Sequence, residues 1–346
     1  MKTQQLAITG SGMVCGVGLS APASCAAIRC ALDNFQETNF IDSGGEWIVG
    51  SSVPLEEPWR GITKLVKMLA KVLPECIACD PGIRLEQVPL LLCLAEEDRP
   101  GRPEDLDNRV FNETQKELGI SFHPRSAVIP KGRISFAMAM RDARILIYEE
   151  RFPNVIIAGV DSLLQAPTLT EYEERERLLT SDNSNGFIPG EAAAAVLVQP
   201  PRDGQNGIVC TGLGFGQEKA AVETEDVPLR ADGLVTAIQD ALTEAGCQLG
   251  TTDFRITDLS GEHYGFKEAS LAMTRVMREL KEEYDIWHPS DCIGEIGAAI
   301  GPAMMTVLLA AMRKGYSPGN SVLAHMGNDD GARAAMILTY QDRRTG

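Results

Sequence analysis

Positive charge is scarce in this sequence. Its 346 residues include 32 Lys and Arg but 48 Asp and Glu, so the formal net charge is −16. Nucleic acids and anionic membrane surfaces are negatively charged and repel such a chain. The composition therefore predicts a protein that binds neither nucleic acid nor membrane. An acidic carrier protein is repelled for the same reason, unless a local basic patch outweighs the average charge.

Long apolar runs are missing as well. No stretch approaches the roughly 20 apolar residues that span a bilayer. The longest candidate, residues 296–312, is rich in Gly and Ala and indicates a buried helix. The N-terminus lacks the apolar region of a secretory signal. Together these features predict a soluble, cytoplasmic protein.

The sequence offers little to a metal or a cofactor. It has only four histidines, and Cys76 and Cys79 form an isolated C-x-x-C pair. Gly10-x-Gly12 lacks the third glycine of a dinucleotide-binding motif, because Cys15 stands at that position. We expect neither a cofactor nor a metal ion. The nine cysteines are odd in number and several lie in apolar runs, which predicts reduced core thiols rather than disulfides.

What the sequence does contain is a series of apolar and small-residue segments typical of an α/β protein. A continuous apolar run predicts a strand that is buried on both faces. The glycine-rich residues 10–18 predict a turn, and the charged segment Glu171–Arg177 predicts a solvated helix face. The main predicted strands are 6–9, 88–95, 154–161, 190–198 and 331–340, and the main predicted helices are 132–151 and 296–313.

Two segments of the chain end alike. Residues 190–198 and 331–339 both begin with Gly and place two alanines and a leucine in register. Each follows a helix rich in small residues. We interpret this as two similar halves, residues 1–203 and 204–346, which share one core because no low-complexity linker separates them. Chance similarity between two alanine-rich strands is the alternative.

Several motifs resemble the β-ketoacyl synthase branch of the thiolase superfamily. The opening residues 6–14, LAITGSGMV, are similar to that family's first strand and turn, and 154–163, NVIIAGVDSL, to the strand after its nucleophile helix. Residues 185–198, NGFIPGEAAAAVLV, give the most specific match. The resemblance is weak over 35–125 and 217–255. It implies a five-layered α-β-α-β-α fold built from two similar halves, and a homodimer.

The resemblance also implies a cysteine nucleophile at the N-terminus of a buried helix, where the helix dipole stabilises the thiolate. The corresponding segment, residues 131–137, has no cysteine, and counting along the chain puts the strand-to-helix turn near Arg133–Ser135. Ser135 is a candidate substitute nucleophile, although a serine needs an adjacent base. The alternative is that Ser135 satisfies backbone groups at the helix start. A distant thiol such as Cys93 or Cys292 at this tip would overturn the prediction of a missing nucleophile.

Two histidines, or a histidine and an asparagine, complete the family's catalytic set. The segment matching the first histidine is 258–265, in which Glu262 or His263 is the candidate but the family pattern is missing. The second matching position holds Glu295, which also suits a helix N-terminus. The glycine-rich loop 326–331 carries two aspartates, which disfavour an anionic acyl carrier or malonyl group. All three positions therefore depart from the family in the direction of lost condensation chemistry.

Three functions remain open from the sequence. The leading hypothesis is a synthase-like pseudoenzyme that acts by binding; its motifs resemble chains found with bacterial type VI secretion components. The second is an active acyltransferase, a 3-oxoacyl synthase with Ser135 as nucleophile and His263 or Glu295 assisting. The third is a partner subunit like a chain length factor, which pairs with an active ketosynthase. We expect a homodimer, or a heterodimer with a related chain, and the sequence leaves binding of acyl carrier or acyl-CoA open.

Overall fold

A computed structural model describes residues 4–224 and 226–341. Strands and helices alternate along most of the chain. The strands are β1 (Leu6–Cys15), β2 (Gln36–Ile41), β3 (Trp47–Gly50), β4 (Leu90–Leu94), β5 (Ala127–Pro130), β6 (Val155–Ser162), β7 (Glu191–Gln199), β8 (Gly207–Gln217), β9 (Phe254–Thr257), β10 (Ile286–Trp287), β11 (Ser321–Gly327) and β12 (Ala332–Gln341). The helices are α1 (Ala21–Arg29), α2 (Gly61–Ile77), α3 (Leu106–Leu118), α4 (Ser135–Arg144), α5 (Ala166–Glu174), α6 (Asp232–Ala245), α7 (His263–Val276), α8 (Ser290–Ile293) and α9 (Ile300–Lys314).

The main sheet consists of two five-stranded parts with the same topology. One part has the order β5-β4-β6-β7-β1 and the other β10-β9-β11-β12-β8. Counted in chain order within each part, the second strand is parallel to the third and to the fourth. The fifth strand is antiparallel to both of its neighbours. A short antiparallel pairing of β1 with β8, between residues 6–8 and 208–210, joins the two parts. The predicted boundary at 203/204 falls in the connection between β7 and β8 and stays a prediction.

Apolar cores fill the spaces between five layers. One core lies between the N-terminal part of the sheet and the outer helices α2 and α3. The central core holds α4 and α9 and touches strands of both parts of the sheet. The third lies between the C-terminal part and the outer helices α6 and α7. The predicted five-layered α-β-α-β-α arrangement is therefore confirmed.

Small residues make this layering possible. Every residue of β6 and β7 is buried, and β7 presents alanines to α2 on one side and α9 on the other.

The prediction of a turn at 10–18 was wrong for its first half, because β1 continues to Cys15. A Cβ at Gly10 would stand 2.3 Å from the Cys76 carbonyl oxygen, and one at Gly12 2.3 Å from that of Val72. These glycines mark close packing of α2 on a strand rather than a turn.

No helix within residues 4–224 and 226–341 combines the length and the apolar character needed to cross a membrane.

Candidate functional site

The strand-to-helix turn between β5 and α4 is centred on Gly132, one residue before the predicted range. Gly132 has φ +57°, a left-handed conformation that favours glycine. A Cβ added there would stand 2.2 Å from Oε2 of Glu96. Arg99 holds that carboxylate, with Nε and Nη2 each donating at 3.0 Å. At the tip of the central helix, the place of a side chain is therefore taken by a fixed carboxylate.

Ser135 is fully buried as the first residue of α4. Its Oγ donates to the carbonyl oxygen of Ile129 at 2.9 Å and accepts the N–H of Lys131 at 3.0 Å. Both partners are main-chain groups of the turn. The geometry matches the backbone-satisfying alternative for this residue, and no base is hydrogen-bonded to its hydroxyl among the described residues.

Glu295 and His263 occupy different environments. Glu295 is 3 % exposed; its Oε1 accepts the N–H of Gly297 at 2.9 Å and its Oε2 accepts from Nη1 of Arg133 at 3.2 Å. His263 is exposed at the start of α7, where its main-chain N–H donates to Asn185. The structure thus connects Glu295 to the turn through Arg133, but it does not bring His263 or the Ser135 hydroxyl to that group.

Arg133 is the centre of a buried ion network. Its guanidinium pairs with Asp329 and Glu295, and its Nε lies 3.8 Å from Oδ2 of Asp258. Asp258 also accepts the N–H of Gly327 at 2.8 Å. Asp258 and Asp329 follow β9 and β11, two neighbouring parallel strands. Because the carboxyl ends of parallel strands meet at one edge, residues far apart in sequence converge on the turn.

Arg177 extends the network. The predicted solvated helix face at 171–177 was wrong for this residue, which is 5 % exposed. Its Nε and Nη2 donate to the two carboxylate oxygens of Glu262 at 2.8 Å each, and its Nη1 donates to Asp329 at 2.6 Å. Glu262, rather than its neighbour His263, is therefore the member of the predicted pair that joins the site.

A second group of charges lies on the other side of the turn. Arg99 bridges Glu96 and Asp161, with 3.0 Å between its Nη2 and Oδ2 of Asp161. Asp161 is the penultimate residue of the buried strand β6 and also accepts the N–H of Ala298 at 2.9 Å. On the far side, Arg333 is held by Glu268, with 2.9 Å from its Nε to each carboxylate oxygen.

The site carries more negative than positive charge. Seven carboxylates face four guanidiniums, so three negative charges are in excess when all are ionised. The carboxylates belong to Glu96, Asp161, Asp258, Glu262, Glu268, Glu295 and Asp329, and the guanidiniums to Arg99, Arg133, Arg177 and Arg333. Burial of unmatched charge is costly, so it shifts proton affinities.

The pKa shifts follow from this imbalance. Burial raises the pKa of Asp258 to about 6, although the Arg133 guanidinium and the Gly327 N–H oppose the shift. Burial acts in the same direction on Asp329, but Arg133 and Arg177 outweigh it and hold the pKa of that carboxyl well below its usual range. Burial therefore moves the titration of Asp258 towards neutral pH.

We expect the folded protein to gain stability as the pH falls from 7 to 5. Asp258 has a folded-state pKa of about 6 against an ordinary value of 3.8. Between those values the folded protein binds a proton that the unfolded chain does not, which contributes about 1 kcal/mol over this interval. Below about pH 4 stability should fall with decreasing pH. The folded state holds the pKa of Asp329 below its ordinary value, so the unfolded chain binds a proton there that the folded protein does not.

Urea unfolding of the wild type and of Asp258→Asn at pH 7 and pH 5 measures this effect. The variant keeps an acceptor for the Gly327 N–H but should lose the gain in free energy of unfolding at pH 5. A wild type and a variant with the same pH dependence would show that Asp258 titrates in its ordinary range.

A small cavity of about 60 Å³ lies within the network, lined by residues of both halves of the chain. Its walls include Arg133, Arg177 and Arg333 together with Asp258 and His325. Neither Ser135 nor His263 lines it. Among residues 4–224 and 226–341, no group of three or more His, Cys, Asp or Glu side chains is placed to hold a metal ion.

No cysteine is among the nearest atoms to a Cβ at Gly132. Cys93 is buried within β4, where burial raises the pKa of its thiol well above the usual range. Cys292 lies in α8 and lines a separate pocket with Trp287 and Tyr316; burial raises the pKa of its thiol to about 11. The side chains nearest to a Cβ at Gly132 belong to Glu96 and Asn328.

Sequence reasoning missed most of the site. Asp161 had a recognisable position, since it ends a predicted buried strand, but Arg99 lies in a segment where the family resemblance is weak. Arg177 lies in a run of charged residues that gave no sign of burial. Only Glu295, Glu262 and the paired aspartates of the 326–331 loop were anticipated.

Comparison with known proteins identifies the fold. No protein-family model and no curated protein matches the sequence. A ketosynthase (ApeO) in complex with its chain length factor (ApeC) from Xenorhabdus doucetiae matches with a TM-score of 0.73 and 13 % identity, over 98 % of each chain. The complex titled AntDE:AntF, a type II polyketide-synthase acyl-carrier protein with its ketosynthase bound to the hexaketide, matches with a TM-score of 0.79 and 13 % identity, over 98 % of this chain and 99 % of that chain.

A further solved structure, the ishigamide ketosynthase/chain length factor, has a TM-score of 0.71 and 16 % identity over 97 % of this chain and 99 % of that one. The neighbours thus include ketosynthases and chain length factors of the thiolase superfamily. At these identities the likeness shows the fold alone. The chain has the thiolase-like fold that the sequence motifs implied.

Proposed function

We propose that this chain is a ketosynthase-fold protein that does not condense acyl groups and acts by binding a related chain, in the manner of a chain length factor. The turn at Gly132 carries this proposal. The family would place a cysteine at the tip of this helix, but here the position next to α4 has no side chain and a fixed Glu96 carboxylate occupies the adjoining space.

The charges of the site support the same conclusion. A decarboxylative condensation needs a hydrogen-bond donor for an enolate oxygen. Glu295 and Asp258 are carboxylates, and the guanidinium that lies beside both, Arg133, is already paired with them and with Asp329. An anionic acyl group entering this cavity would meet an excess of negative charge.

A free sheet edge supports binding of another chain. β5 pairs with β4 on one side and no described strand covers its other side. An edge strand presents unpaired N–H and C=O groups that can pair with a strand of a second chain. Two of the similar structures contain a ketosynthase together with a chain length factor. The association with type VI secretion components stays a prediction from the sequence.

Incubation with acyl-CoA and with acyl-loaded carrier protein, followed by intact-protein mass spectrometry, tests the absence of catalysis. We expect no covalent adduct, because the Ser135 hydroxyl donates to a main-chain carbonyl and no base within residues 4–224 and 226–341 is hydrogen-bonded to it. A stoichiometric adduct that maps to Ser135 and disappears in Ser135→Ala would establish the active acyltransferase instead.

Native mass spectrometry of the full chain, purified alone and after co-expression with ketosynthases encoded near it, tests the partner. We expect a one-to-one heterodimer that replaces any homodimer. Ala127→Asp places a charge on the exposed residue of the β5 edge and should dissociate the heterodimer. Ala78→Asp, at an exposed position following α2, is the matched control. A homodimer that persists with every ketosynthase tested would count against the proposal.

A further inference from the structure

The cavity beside Arg133 is poorly suited to an anion. Each guanidinium in its wall is already engaged: Arg133 by Asp329 and Glu295, Arg177 by Glu262 and Asp329, and Arg333 by Glu268. An entering carboxylate or phosphate would have to displace one of these partners. Because the displaced acid would then be buried without a counter-ion, the exchange is unfavourable.

The same wall has an excess of carboxylates. Four acidic side chains line the cavity, Asp258, Glu262, Glu268 and Asp329, against three guanidiniums. Glu295 does not line the cavity but accepts a hydrogen bond from Arg133 and adds a further negative charge. A buried excess of negative charge is relieved either by protons or by a bound cation.

An unpartnered imidazole points to a ligand. His325 lies in β11, is 3 % exposed and lines the cavity. Its Nε2 has no hydrogen-bond partner among the described residues. The imidazole is neutral, because burial lowers its pKa to about 3, with Arg255 and Arg333 adding to the shift. A buried polar atom without a partner is costly, so a group that bonds to it would bind favourably.

We propose that this cavity binds a small organic cation with a primary ammonium group, which donates to Nε2 of His325 and to the surrounding carboxylates. The volume of about 60 Å³ suits such a head group. A metal ion fits less well, since no three ligating side chains converge in the part of the chain that the structure describes.

The inference rests on the proposed function in one respect, namely that the site does not bind anionic acyl groups. It adds the chemical class of ligand that the altered site accepts. The occupant could be a free amine or the amine of a partner's side chain, and both share the same head group chemistry.

Thermal unfolding of the full chain in methylammonium chloride tests the inference against sodium chloride and tetramethylammonium chloride at equal ionic strength. Methylammonium should raise the unfolding midpoint above both, with a dissociation constant in the millimolar range or weaker because it has few heavy atoms. Tetramethylammonium controls for charge without a hydrogen-bond donor. Equal midpoints in the three salts, or a larger rise with sodium acetate, would overturn the proposal.

Two variants locate the site. His325→Leu removes the acceptor at similar volume and should abolish the difference between methylammonium and sodium. Glu262→Gln lowers the negative charge at the rim and should weaken methylammonium binding several-fold, which keeps the test decisive if His325→Leu does not fold. Glu86→Gln, an exposed site elsewhere, should behave like the wild type. Loss of methylammonium binding with an intact heterodimer and no acyl adduct would refute this inference alone.

Discussion

Replacing Arg133 by methionine should destabilise the protein by roughly 3–5 kcal/mol at pH 7, the range expected when one member of a buried ion network is removed. Arg133 faces Asp258, Glu295 and Asp329 in a site that already has excess negative charge. Without the guanidinium, these carboxylates are buried with fewer counter-ions. Methionine keeps much of the side-chain volume, so the loss reports charge rather than a cavity.

Urea unfolding at pH 7 and pH 5 measures the effect of Arg133→Met. The destabilisation should shrink at pH 5, because removal of Arg133 raises the carboxylate pKa values and the folded protein then takes up protons. Arg125→Met is the matched control: its pair with Glu150 is exposed, so its loss should leave the free energy of unfolding almost unchanged. If Arg133→Met were as mild as Arg125→Met, the network would contribute little to stability.

Gly132→Cys, which places a thiol at the helix tip, should not create a condensing enzyme and should destabilise the fold by about 3 kcal/mol or more. Two costs combine. A non-glycine residue at φ +57° is strained, and the new Cβ would stand 2.2 Å from Oε2 of Glu96. Glu96 can move only by giving up its bidentate pairing with Arg99.

Gly119→Cys separates these two costs. Gly119 follows α3 with φ +67° and has nothing within 4 Å of an added Cβ. Cysteine at this position should therefore lower the free energy of unfolding through backbone strain alone, by about 1–2 kcal/mol. Combining Gly132→Cys with Glu96→Ala should restore part of the lost stability and increase the rate at which the new thiol reacts with iodoacetamide. Equal losses of stability for Gly132→Cys and Gly119→Cys would mean that Glu96 does not restrict the space at the turn.

The ion network joins residues from the two halves of the chain at one edge of the sheet. Glu96 and Arg133 follow strands of the N-terminal part of the sheet, and Asp161 lies near the C-terminal end of β6 in the same part. Asp258 and Asp329 follow strands of the C-terminal part. In this fold the carboxyl ends of both sets of parallel strands face the same turn. Ion pairs between residues of the two halves therefore lie at this edge.

The sequence by itself determined the layered fold, and it showed that residues 131–137 contain no cysteine. Fully apolar strands and small-residue segments such as β7 can only be buried between helices on both faces, so their pattern specifies sandwiched layers. A residue type absent from a segment is likewise visible without coordinates. Glu295 was found because it lies beside a recognisable glycine-alanine helix.

Only the tertiary structure decided which side chains surround the turn at Gly132. Arg133 and Asp329 are 196 residues apart in the chain, and Arg177 and Glu262 are 85 apart. Such pairs leave no periodic or local signal, because their distance depends on how separate loops end at one sheet edge. The left-handed turn at Gly132 and the burial of Arg177 within a charged run depend on the same convergence. Partner choice among charged side chains is therefore a property of the fold, whereas layer and strand are properties of the local sequence.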